Sequence, residues 1–394
     1  MSFVVEPQAI MRPGIIELRW GDPDPRLIPV AAIREAMLWV TDTVGEAALN
    51  YGVNEGPGAA RAALAERIAA LEGRPVDLPQ IAVTNGCSPS IQLLFSQLIG
   101  PGDVVFMEDP GFSLGIRMAH DLGIDLVAVP LDGDGLDVEA LAEAVRAVRT
   151  SGRRPRMVYT VAAFHNPTGV CMSVARRRRL VELAVEEDLL VVEDDAYREL
   201  WYDEPPLPSL WRLAADVDGA DEHVIRLGSF SKTLSPGLRC GWLTSGPGRV
   251  LEFTERGVLD SAGCMSQFGS LVCARLVLEG AYAANVELLR GHYAARRDAL
   301  VAGLSESLPA GCSFARPAGG LFLLVRLPEG LASGDLVTAG ETNGVGFMEG
   351  TRFAIDRTDR GIRLGFSMYP PDELREGAAR LGRTICEALA ARPD

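Results

Sequence analysis

Lysine is almost missing from this chain. Of 394 residues, 38 are lysine or arginine, and all but Lys232 are arginine. Arginine replaces lysine as a surface cation or in an ion pair, but it cannot supply a deprotonable primary amine for covalent chemistry. Lys232 is therefore the first candidate for such a role. Histidine is also scarce, with 4 residues, and none stands at zinc-ligand spacing from a cysteine. The cysteines (Cys87, Cys171, Cys240, Cys264, Cys273, Cys312 and Cys386) are odd in number and scattered, with no CxxC pair. That excludes a zinc ribbon or a disulfide framework and points to thiols of a reducing compartment. No window holds 18 apolar residues, and MSFVVEPQAIMRPG has no basic stretch followed by an apolar run, so neither a membrane span nor a signal peptide is expected, and the protein is expected to be cytoplasmic. Positive charge is in deficit. The net charge of −15 repels phosphate backbones and anionic lipids, so no nucleic-acid or membrane partner is expected. The one basic run, Arg176 to Arg179, lies between Ser173 and Leu180, Leu183 and Ala184 at helical spacing, and reads as the solvated face of a helix.

What the chain has is apolar mass, 47% hydrophobic residues, enough for large cores. Seven short apolar runs (81–84, 104–108, 126–129, 157–164, 189–194, 224–230 and 241–245) alternate with amphipathic stretches such as Ile91, Leu94, Phe95, Leu98 and Val138, Leu141, Val145, Val148. Runs apolar enough to be covered on both faces indicate an α/β fold, a large domain with a mostly parallel seven-stranded sheet sandwiched by helices. Residues 249–308 read as long helices. Beyond them CSFARPAGGLFLLVRL, GVGFMEG and GIRLGFSMY read as strands interleaved with helices at 333–342 and 371–391, a smaller α+β domain.

Polar residues gather after strand C-termini, where open α/β sheets bind ligands. One run ends in His165-Asn166-Pro167-Thr168-Gly169 and a second in Asp194-Asp195-Ala196-Tyr197. A third leads into Ser229-Phe230-Ser231-Lys232, with Arg239 seven residues on. Upstream, Thr84-Asn85-Gly86-Cys87-Ser88-Pro89 joins a strand to a helix. Ser88 is the expected N-cap and Pro89 the first helical residue, leaving free N–H groups that suit a phosphate or merely begin an ordinary capped helix.

These motifs resemble the fold type I pyridoxal-phosphate enzymes, specifically the class I/II aminotransferases related to 2-aminoadipate and aromatic aminotransferases. WGDPDPRLIP, NYGVNEGPGAAR, TNGCSPSIQLL, PGDVVFMEDPGF, FHNPTG, VVEDDAY, GSFSKTLSPGLRCGW, RRDAL, PAGGLFLLVRLP and GIRLGFS appear in the family's order over almost the whole chain. The resemblance implies pyridoxal 5′-phosphate bound through a Schiff base to Lys232. At neutral pH only about one exposed lysine amine in a few thousand is free, and a nearby cation such as Arg239 would raise that fraction. The resemblance further implies that Asp194 pairs with the pyridine nitrogen and that Tyr197 and Asn166 bond the phenolic oxygen. Phe112 would stack on the ring. Gly86, Cys87, Ser88, Ser229, Ser231 and Arg239 would hold the phosphate, reached from a partner subunit by Tyr51. Arg363 would clamp the substrate carboxylate, with Asn166 and Gly21 beside it. A homodimer with shared sites is implied, acting on amino acids and 2-oxo acids, with residues 1–48 an N-terminal segment contributing to the small domain and the site entrance, 49–285 the large cofactor-binding domain and 286–394 the C-terminal small domain.

Some positions depart from the family. Cys87 replaces a frequent hydroxyl residue, Ser88-Pro89 stand where glutamines are common, Glu349 replaces a frequent proline, and Asn285 falls where many relatives have histidine. His165 is a common variant and reads as structural. Trp20, Arg26, Phe347 and Glu349 are candidate pocket residues. The expected function is amino-group transfer. The alternatives are decarboxylation, O2-dependent oxidation or bond formation on an amino acid with the same cofactor, and an effector-binding domain. The last is disfavoured by the acidic charge and by the start of the first motif at Trp20, which leaves no room for a DNA-binding module ahead of it.

Overall fold

The computed structural model describes residues 7–261 and 265–391, so Cys264 lies outside the described residues. Eight strands form the large sheet: Ile81–Thr84 (β1), Asp103–Asp109 (β2), Asp125–Asp132 (β3), Gly135–Leu136 (β4), Arg154–Thr160 (β5), Leu190–Asp194 (β6), Val224–Ser229 (β7) and Gly241–Thr244 (β8). Their spatial order is β1-β8-β7-β6-β5-β2-β3-β4. β8 runs antiparallel between β1 and β7, β4 closes one edge antiparallel to β3, and every other pairing is parallel. The seven apolar runs are thus seven of the strands. The eighth, β4, has two residues and too little sequence to show alternation or an apolar run. The run 157–164 leaves the sheet at Thr160, because the Val161 N–H turns onto the buried Glu108 carboxylate, at 3.1 and 3.2 Å from its two oxygens.

Around the sheet pack Val30–Thr43 (α1), Gly58–Glu72 (α2), Cys87–Leu98 (α3), Ser113–Asp121 (α4), Val138–Thr150 (α5), Val174–Glu186 (α6) and Gln267–Leu278 (α7), followed by Ala281–Ser307 (α8) and Pro371–Ala390 (α9). Ser173 caps α6 by accepting the Arg176 N–H. The basic run on α6 corrects the expectation of a solvated face. Arg176 and Arg179 do face outward to Asp132 and Glu186, but the Arg177 side chain is fully buried and donates to the carbonyls of Met172, Ala162 and Pro208. A guanidinium with five donors can be satisfied by carbonyls inside the protein, which helical periodicity alone does not reveal.

A second sheet consists of Phe322–Val325 (β9), Met348–Glu349 (β10) and Ile362–Gly365 (β11), antiparallel in the order β9-β11-β10. Ile16–Glu17 pairs in parallel with Val345–Gly346, and Ile16 and Leu18 share a core with Leu300, Leu304, Leu364 and Leu381. The N-terminal segment is therefore built into the C-terminal unit. The 27-residue helix α8 joins the two, with Tyr282 and Val286 in the core of the large sheet and Leu300 and Leu304 in that of the small one.

From Leu18 to Asp24 the N-terminal segment crosses the C-terminal ends of the large sheet. Gly365 N–H donates to Leu18 O at 2.6 Å, Ser367 Oγ to Asp22 O at 2.6 Å, and Arg296 of α8 reaches the buried Asp24 carboxylate at 2.6 Å. Burial pushes the Asp24 carboxyl up, but hydrogen bonds from Arg26 and Arg296 outweigh it and hold the group below its usual value. Such a depressed carboxyl stabilises the fold above the unfolded pKa and ceases to do so as pH falls through the folded one. Asp24→Asn is expected to cost about 3 kcal/mol at pH 7, since it leaves a buried guanidinium unpaired. Chemical denaturation should show that gap complete above about pH 4 and closing in acid.

Candidate active site

The C-terminal ends of β5, β6 and β7 open into a cavity of about 1100 Å³. Its wall includes Lys232, Asp194, Tyr197, Asn166 and Arg363. Lys232 follows β7, and its Nζ donates to the carbonyl of Gly21 at 3.0 Å, with Asp22 Oδ1 at 3.8 Å. Burial pushes this amine's pKa down, Asp22 opposes the drop and Arg363 adds to it. The cation that favours the free amine is thus Arg363. This corrects the assignment to Arg239, whose guanidinium turns away to bond the carbonyls of Asn85 at 2.8 Å and Pro236 at 3.3 Å.

Asp194 ends β6 and is buried. Tyr159 of β5 donates to its Oδ2 at 2.8 Å, while Oδ1 has no partner among the described residues. Burial raises the carboxyl's pKa, and the hydrogen bond from the Tyr159 hydroxyl holds that rise back. A buried carboxylate with one oxygen unmet is costly unless a cationic or N–H partner arrives. In the run MVYTVAAF, Tyr159 reads as one more apolar strand residue. The signal available was that a tyrosine in a strand buried on both faces must find a partner for its hydroxyl.

Helix α3 begins at Cys87, with Gly86 as its cap at φ 99° and no side-chain cap. Ser88 and Pro89 therefore sit inside the first turn, not at the cap and first helical position expected of them. The N-cap must take a left-handed backbone that only glycine adopts without strain. A Cβ on Gly86 would lie 3.5 Å from Arg239 Nη2, 3.5 Å from Ser229 Oγ and 3.8 Å from Ser231 Oγ. Two hydroxyls, a guanidinium and the open N–H groups of a helix start thus converge on one spot, the donor set of an anion cradle.

Arg363 on β11 donates to Asn166 Oδ1 at 3.1 Å and to Arg19 O at 2.7 Å, while its Nε has no partner among the described residues. It lies over Phe322 and Phe353 at 4.1 and 4.9 Å, and burial pushes it down to about 10. Burial likewise raises the phenol of Tyr197, which packs edge-on against Phe322. Phe112, Ser88, Trp20 and Glu349 line the cavity. Arg26 and Phe347 do not. Arg26 is engaged by Asp24 and the Met368 carbonyl, and Phe347 is buried in the C-terminal core. Tyr51 also stands apart, 86% exposed on the surface. Asn285 binds the Thr233 carbonyl at 2.8 Å, and buried His165 sits between Thr168 at 2.9 Å and Glu108 at 3.4 Å. A lone amine, a buried carboxylate oxygen without a partner and an anion cradle within one cavity fit a phosphorylated aldehyde with a basic ring nitrogen.

Known proteins agree with this reading. Residues 14–381 match the family model for aminotransferase class I and II. The chain is 33% identical over 378 residues to an aromatic-amino-acid aminotransferase of Thermococcus litoralis, covering 95% of this chain and 89% of the relative. It is 32% identical over 380 residues to a 2-aminoadipate transaminase of Thermus thermophilus, covering 96% and 92%. Among solved structures, a kynurenine aminotransferase of Pyrococcus horikoshii in complex with PMP superposes with a TM-score of 0.89 at 33% identity, covering 95% and 92%. The chain belongs to the class I and II aminotransferase family, and it is a pyridoxal-phosphate-dependent enzyme acting on amino acids and 2-oxo acids.

Gly21 tests how tightly the crossing segment is seated. A Cβ there would lie 1.9 Å from the Phe322 ring, which is itself held between Arg363 and Tyr197. Gly21→Ala is expected to lower stability by about 2 kcal/mol through overpacking, read as a shift of the denaturant midpoint.

Proposed function

We propose that the amino group changes hands in the cavity around Lys232, with pyridoxal 5′-phosphate anchored on that residue. The observation that carries this assignment is the buried Oδ1 of Asp194, without a hydrogen-bond partner among the described residues, in the cavity that holds the chain's single lysine. Asp194 would hold the proton of the pyridine nitrogen, and Tyr197 and Asn166 the phenolic oxygen. Phe112 would cover the ring. Ser229, Ser231, Arg239 and the N–H groups at Gly86, Cys87 and Ser88 would hold the phosphate. When bound, the cofactor supplies an electron sink for charge developing at the substrate α-carbon.

Arg363 orients the substrate by gripping its carboxylate, assisted by Asn166, while the Gly21 backbone forms the facing wall. Lys232 takes the α-proton and returns it. Burial lowers its pKa, which raises the share of free amine available for this work. We further propose a cytoplasmic homodimer. Leu49, Tyr51 and Val53 are exposed apolar residues on one segment, 71%, 86% and 55% accessible, which suits contact with a second copy whose phosphate cradle Tyr51 would reach. The six described cysteines are all free thiols, in keeping with a reducing compartment. The domain division proposed is residues 1–48, 49–285 and 286–394, the last boundary lying within α8.

The test is spectral and chemical. Purified protein should show the visible absorption of the lysine-bound cofactor, lose it on addition of a reactive amino acid and release the matching 2-oxo acid, identified by mass. Lys232→Ala should abolish the band and lower kcat by about 10³-fold. Retention of the band would sink the assignment. Arg363→Gln should raise KM for amino acids and 2-oxo acids alike by about 10- to 100-fold, because both carry the carboxylate it grips.

A further inference from the structure

Asp22 is the only acidic side chain within 4 Å of the Lys232 amine among the described residues, at 3.8 Å. It lines the same cavity as Arg363, and among the described residues no hydrogen bond reaches its side chain. Its placement is not that of a loose loop. The backbone on either side is fixed by the Gly21 carbonyl on Lys232, the Ser367 hydroxyl on the Asp22 carbonyl and the Arg296 grip on Asp24. Gly21 is moreover pressed against Phe322.

A carboxylate so placed is adverse for any ligand that brings only a carboxylate to Arg363, since like charges repel across a partly desolvated cavity. It becomes favourable when the ligand also brings a cation. In amino-group transfer the donor's amine takes over the place held by the lysine amine, and that place lies within reach of Asp22. We infer that Asp22 is the docking carboxylate for the α-ammonium of the amino donor, forming with Arg363 a two-point clamp for a zwitterion. The inference rests on the reading of Lys232 as the cofactor's anchor. It assigns Asp22 a substrate-binding role and implies that the site separates amino acids from 2-oxo acids before any bond is made.

The two halves of the reaction provide the test. In single-turnover measurements on holoenzyme, Asp22→Asn should lower kcat/KM for the amino acid by about ten-fold. The same variant should lower KM for the 2-oxo acid, because a repulsive charge is gone. Equilibrium titration with a carboxylic acid lacking an amine, followed by its perturbation of the cofactor spectrum, should show tighter binding. Asp22→Ser should reproduce this split if Asp22→Asn folds poorly, and Asp22→Glu should restore part of the donor preference. Equal losses in both half-reactions would assign Asp22 to tuning Lys232 instead, and an unchanged donor half-reaction would leave it no role in docking. Either result overturns the proposal. If Lys232→Ala keeps its visible band, the underlying reading has failed. If that band is lost and the split is absent, only the assignment of Asp22 has failed.

Discussion

Three consecutive buried carboxylates at the end of β6 set the terms for the rest of the structure. Glu193, Asp194 and Asp195 are 0%, 7% and 4% exposed, and desolvating such a run is prohibitive unless each charge is answered or neutralised. Glu193 accepts the N–H groups of Leu210 and Trp211 and faces Arg177 at 3.6 Å. Burial, with the charge of Asp195 adding to it, still pushes its pKa up to about 7. Asp195 is bound by Arg226 at 2.7 Å, and Arg226 and Arg198 also share Glu72. Arginine dominates this chain's cations, and here its fork suits the task, since one guanidinium can meet two carboxylates at once. Asp194 Oδ1 and Asp195 Oδ1 both lack a hydrogen-bond partner among the described residues, but of the three carboxylates only Asp194 lines the cavity. The arginine network gathers around Asp195 and Glu72 and leaves Asp194 to the cavity.

The site is assembled from pieces distant in sequence. Lys232 and the anion cradle belong to the large sheet, Arg363 to β11, and the facing wall to a segment that enters from the N-terminus. The crossing segment and β11 are bound to each other, through Leu18 O with the Gly365 N–H and through Asp22 O with the Ser367 hydroxyl. Arg296 fastens both, binding Asp24 and the Ser367 carbonyl. Arg363 and Lys232 thus sit on separately stitched parts of the chain that meet in the cavity.

Much of this was legible in the chain. Strands buried on both faces are continuous apolar runs, so six of the seven substantial strands stood out for that reason, while β3 shows an apolar run at 126–129 although only Val129 of it is buried; the polar residues after the strands pointed to loops over a shared cavity. Lys232 was marked by being alone. What escaped depended on three-dimensional detail. The cap of α3 falls on Gly86 rather than Ser88 because the backbone needs a left-handed turn there, and side-chain type does not disclose that. Tyr159 and Arg177 lie within patterns that read as apolar strand and solvated helix, yet each is a buried polar group with designated partners. Asp22 and the cation that depresses Lys232 could not be foreseen, because both arise where β7 meets segments more than a hundred residues away. Arg26 and Phe347 neighbour pocket residues in sequence, yet one pairs with Asp24 and the other packs into a core.

Helix α8 has a mechanical meaning beyond joining two cores. At 27 residues it is a rod about 40 Å long, one end set in the large-sheet core and the other in the C-terminal core. A tilt of about 3° at the fixed end would swing the far end by about 2 Å, comparable to the difference between touching a substrate and missing it. Because Arg296 on this rod grips Asp24 and the Ser367 carbonyl, such a tilt would transport Arg363 and Asp22 together, advancing or withdrawing the two without altering the spacing between them.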